Sequence, residues 1–116
     1  QLPTTPTNLG IVTLDIPAQG YVLLTVTAVV WIAGDGTVGY LGLGTAPYTT
    51  DLAVTRFGYS EGSGTLDRSG SLACQAVVPV TYGSYAFWAT GFKSVFSSDQ
   101  TTHLFNIYLT AIFCSA

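Results

Sequence analysis

The residues with the widest chemical range are few in this chain. It holds one histidine (His103), two cysteines (Cys74 and Cys114), three basic residues (Arg56, Arg68, Lys93) and six acidic ones (Asp15, Asp35, Asp51, Glu61, Asp67, Asp99). A hydrolytic triad needs a serine on a strained elbow beside a histidine, and no G-x-S-x-G sequence is present. A glycosidase needs two carboxylates facing one bond, whereas these acids are scattered and fall mostly in turns. Two cysteines and one histidine make no metal site unless carboxylates join them, and no such cluster is visible. Gly34-Asp35-Gly36 offers one carboxylate where a calcium loop wants several oxygens, so it reads as a hairpin turn. Catalysis, a bound metal and a cofactor are therefore not expected.

What remains is binding chemistry. A neutral sugar is recognised by a flat aromatic against its C–H faces and by fixed donors to its hydroxyls. Arginine supplies such donors in a rigid fork. Arg68 follows Asp67 in the Gly/Ser segment EGSGTLDRSG, and reads either as a solvated loop charge or as such a donor. Tyr40 and Tyr59 fit a core, an interface or a site, since tyrosine suits places with one dry and one wet end. Trp31 and Trp88 read first as packing residues. His103 reads first as an exposed or interface histidine.

These residues must be carried by strands. The 116 residues suffice for one domain with its own core. Gln1 to Thr7 (QLPTTPT) reads as an extended lead-in, and 8–116 as the domain. Strands rich in Val, Ile, Thr and aromatics are predicted over 10–16, 21–33, 38–45, 52–60, 71–81, 85–96 and 103–114. Gly39, Gly42 and Gly44 inside the third mark a bulge or a close backbone approach. Turns recur at regular spacing and helical periodicity is absent, which points to an all-β sandwich or barrel. Cys74 and Cys114 read as two buried free thiols, with a disulfide as the alternative in an exported protein. The chain has no Met and no signal peptide, and reads as a processed protein or an excised domain.

Only 8% of the residues are charged, where about 25% is typical, and the net charge is −3. Nucleic acid and anionic membrane surfaces are poor partners for such a chain. The longest apolar stretch, 21–33, is too short for a membrane-spanning helix. Both faces of two strands are apolar. In the last, Phe105, Ile107, Leu109, Ala111 and Phe113 alternate with Leu104, Tyr108, Ile112 and Cys114. Strand 21–33 behaves alike. An antiparallel sandwich strand normally wets one face, so the second apolar face is expected to pack on another subunit.

PAQGYVLLTVTAVV (17–30), SGSLACQAVVPVTYGSYAFWATGF (69–92) and HLFNIYLTAIFCSA (103–116) resemble the strand entry, a central hairpin and the final strand of tumour-necrosis-factor-like and C1q-like jelly rolls. GYLGLGT (39–45), RFGYSEGSG (56–64), FKSV (92–95) and YLTAIFCSA (108–116) are similar, in the same order, to the N-terminal fucose-binding domains of Burkholderia superlectins within that superfamily. The resemblance implies a jelly-roll homotrimer with sugar sites between subunits. It implies Tyr40, Tyr59, Thr65 and Arg68 as sugar contacts, with Trp31 and His103 nearby. Phe96 stands where those lectins carry a second arginine, so the implied ligand is fucose or a related neutral glycan on cell surfaces. Such a protein would be secreted or displayed on a cell. The alternative is a trimeric head of a fibre, collagen-like or phage tail protein, with no small ligand.

Overall fold

A computed structural model describes residues 5–33, 37–59, 67–94 and 101–116. It contains seven strands: β1 (Thr7–Ile16), β2 (Gly20–Ala33), β3 (Thr37–Gly44), β4 (Ala53–Tyr59), β5 (Asp67–Val80), β6 (Gly83–Ser94) and β7 (Thr101–Ser115). They form two antiparallel sheets packed as a β-sandwich, in the orders β1-β6-β3-β4 and β5-β2-β7. The sandwich follows from alternation. Along β2, Val22, Leu24, Val26, Ala28 and Val30 are buried, while the residues between them face outward. Leu41 and Leu43 of β3, Leu72 and Cys74 of β5, and Phe87 and Ala89 of β6 meet them in one core. Each such Val, Leu or Phe contributes about 1.5–3 kcal/mol through burial.

Three strands are longer than their composition suggests. Thr7, placed in the lead-in from sequence, opens β1 opposite Gly91. Asp67 to Gly70, expected in the Gly/Ser loop, belong to β5. The 14 residues of β2 offer them partners, with Ala33 opposite Asp67 and Ile32 opposite Arg68. Thr101 and Thr102, also expected in a loop, begin β7 opposite Ala33 and Ile32.

The faces of β7 differ from a plain two-residue alternation. Its register on β2 slips between Thr27 and Val29, and Asn106 takes a left-handed φ of 52°. One extra residue reverses the alternation, and asparagine tolerates that conformation. Leu104 therefore faces the core with Ile107, Leu109, Ala111 and Phe113, while Phe105 turns outward with Tyr108 and Ile112. The cysteines separate for the same reason of face. Cys74 is buried opposite Val26, whereas Cys114 lies exposed opposite Tyr21, and both are free thiols. Burial pushes the Cys74 thiol above its ordinary pKa.

The strand glycines mark a close approach. A Cβ on Gly42 would stand 2.5 Å from Thr50 Cγ2 and 2.7 Å from the Ala53 carbonyl oxygen. The segment joining β3 to β4 thus lies against the outer side of β3. Asp51 secures it by accepting hydrogen bonds from the Thr45 amide (2.9 Å), Thr45 Oγ1 (2.6 Å) and Thr49 Oγ1 (3.0 Å). These donors, the Thr45 hydroxyl first, hold the Asp51 carboxyl below its usual pKa. The folded-state value is depressed, so this contribution is complete above the ordinary carboxylate range and is lost as pH falls through the lowered value. Thr90, opposite Gly42 on β6, is fully buried, and its Oγ1 has no hydrogen-bond partner among the described residues. A buried hydroxyl without a partner is destabilising. Thr90→Val keeps the shape and removes the hydroxyl, and is expected to raise the stability measured by urea unfolding by about 1 kcal/mol.

Candidate functional site

The strand ends decide which candidates meet. β2, β4 and β6 finish, and β3, β5 and β7 begin, at one end of the sandwich: Ala33 faces Asp67 and Thr101, and Thr37 faces Tyr59. Trp31 lies two residues inside this end on β2, directly opposite His103 of β7. Their rings are 5.3 Å apart, centre to centre, and tilted by 40°. Both are half-buried and sit on the outer face of the three-stranded sheet. On the other flank Trp31 pairs with Ser69, the neighbour of Arg68. The structure thus brings Trp31 and His103 together, whereas Arg68, paired with Ile32, and Tyr59, paired with Thr37 in the other sheet, share that end of the sandwich but not the register row of Trp31 and His103. Thr65 and Phe96 lie outside the described residues.

Tyr40 is placed differently. It is on the outer side of β3 in the four-stranded sheet, stacked on Phe92 of β6 with ring centres 4.6 Å apart and planes within 9°. Arg56 of β4 is its partner on the opposite flank, and is exposed. A cleft of about 440 Å³ opens there, lined by Tyr40, Val54, Thr55 and Arg56. Phe92 and Arg56 were not singled out from sequence. The signal was available in the hairpin: counting outward from the Leu43–Ala53 pair sets Arg56 opposite Tyr40.

The outer face of the β5-β2-β7 sheet surrounds the Trp31–His103 pair. It presents Tyr21, Leu23, Val29, Val77, Pro79, Phe105, Tyr108 and Ile112, with hydroxyls from Thr25, Thr27 and Thr110. Along this face from Tyr21 to Trp31 and their partners there is no Asp, Glu, Lys or Arg, and Asp67, paired with Ala33, stands at its end. Val77 and Tyr108 are each 65% exposed and Ile112 57%. At the middle, beside the β7 bulge, a hollow of about 430 Å³ is lined in part by Thr27, Val29, Ala73, Asn106 and Tyr108. Ladders of 14 residues on three strands make a face on the order of 650 Å². Among the described residues no group of three or more His, Cys, Asp or Glu is placed to hold a metal. Compared with known protein families, curated proteins and solved structures, the chain matches none.

Proposed function

We propose that this chain is a jelly-roll domain that assembles as a homotrimer and acts as a non-catalytic lectin. Its ligand is fucose or a related neutral glycan on cell surfaces, bound where subunits meet, and its place of action is extracellular. The strand order supports the jelly roll. Pairing β1 with β6, β2 with β7 and β5, and β3 with β6 and β4 is what rolling up a long antiparallel hairpin produces, here with seven strands. The uncharged outer face supports assembly. Its extent approaches the roughly 800 Å² per partner of a standard interface, and from Tyr21 to Trp31 it would bury no formal charge.

The observation that carries the sugar reading is the Trp31–His103 pair. It offers a half-exposed indole beside a ring that donates or accepts, at the end where Arg68 and Tyr59 sit. Indole supplies the flat apolar surface and imidazole a directed hydrogen bond, while Arg68 stands one register position away, paired with Ile32. Titration of the protein with fucosylated oligosaccharides tests this. Trp31→Ala and Arg68→Ala are each expected to weaken binding at least tenfold, and unchanged binding in both would contradict the assignment. A trimeric fibre head without a small ligand is the second reading. It is favoured by the separation of Tyr40, on the outer face of the other sheet, from Trp31 and His103 within one chain.

A further inference from the structure

We infer that the Tyr40–Phe92–Arg56 cluster on the four-stranded sheet is a second binding site, for a pyranose that carries a carboxylate. The inference rests on reading the chain as a glycan binder and adds a ligand class and a location to it. The order β6-β3-β4 fixes the geometry. Phe92 stacks on Tyr40 from the β6 side, so one face of the phenol ring is occupied. The other face looks toward β4, where the 440 Å³ cleft and Arg56 lie. That volume falls within the range of small-ligand sites.

Each element has a role in recognition. The open face of Tyr40 receives the C–H face of a sugar ring, and Phe92 holds the phenol upright by parallel stacking. Val54, 53% exposed, supplies an apolar wall. β4 is the edge of its sheet, so its outward backbone groups have no strand partner there. The guanidinium sets the ligand class. Arg56 is one of three basic residues in a chain of net charge −3, and among the described residues no carboxylate lines the cleft. A fork of donors beside a sugar platform matches a carboxylate in two-point fashion with opposite charge, where a neutral sugar offers hydroxyls alone. The Trp31–His103 pair lies on the other sheet, so the two sites are separable by mutation.

The test is isothermal titration with 3′-sialyllactose against lactose, and with a methyl β-glucuronide against the methyl β-glucoside. At least one acidic probe is expected to bind ten or more times more tightly than its neutral partner. Arg56→Gln is expected to erase that preference, Arg56→Lys to retain part of it, and Trp31→Ala to leave it intact. Arg56 is exposed, so these variants should keep the circular dichroism spectrum of the parent. Equal binding of acidic and neutral probes, or a preference that survives Arg56→Gln, overturns the inference while leaving fucosylated-glycan binding as evidence for the lectin. Failure of every probe, fucosylated glycans included, overturns both.

Discussion

Replacing Tyr108 and Ile112 together by aspartate is expected to leave the chain a monomer in sedimentation at 10 μM, where the parent is expected to sediment as a trimer. Both side chains point away from the core, and both are more than half exposed in the single chain. The substitutions should therefore cost the fold itself little. Buried between copies, each carboxylate would lose its hydration without a basic partner, because the surrounding face holds no described Lys or Arg. Six such charges in a trimer amount to a penalty that no interface of this size offsets. Loss of three linked sites would also remove avidity, lowering the apparent affinity for a glycan-coated surface by about 10²-fold. A variant that still sediments as a trimer would show that assembly uses some other surface.

Gly44→Ala is expected to damage the fold strongly. Its Cβ would stand 2.8 Å from the Thr49 carbonyl carbon and press on the Thr49 carbonyl oxygen and Oγ1. The obstacle is mainly backbone, and that backbone is tied down by the Thr45 and Thr49 bonds to Asp51. Relief requires the whole 45–51 segment to lift off β3. Overpacking of this kind costs about 3 kcal/mol. In a domain of this length that lowers the melting temperature by on the order of 10 °C. An unchanged melting temperature would mean that the segment does not lie against Gly44.

Much of the architecture was legible because strand composition and turn residues agree. The close approaches at Gly42 and Gly44 of β3 and the long β2 stand where their residue types place them. The bulge in β7 was not legible. Asn106 sits in an unbroken run of strand formers, and the slip exists only relative to β2, so alternation within the strand misplaced Phe105. The start of β5 was hidden for a related reason. Asp67-Arg68-Ser69-Gly70 has loop composition, and becomes strand because β2 extends far enough to pair with it. Of the candidate site, composition could mark Trp31, His103 and Tyr40 as residues with both a flat ring and a polar atom. Only register could reveal that Trp31 faces His103, and that Tyr40 belongs with Phe92 and Arg56 on the opposite sheet.

The scarcity of charge takes its meaning from this geometry. Charge is missing from the outer face of one sheet between Tyr21 and Trp31, with Asp67 at its end, while the other sheet keeps Arg56 beside an aromatic pair. The measurement that tests the account most directly is a glycan array probed with the parent protein and with Arg68→Ala. The account predicts retention on fucosylated or related neutral glycans by the parent, and loss of that retention in the variant. Failure of the parent to bind any glycan on the array would contradict the lectin and leave the fibre head as the better reading.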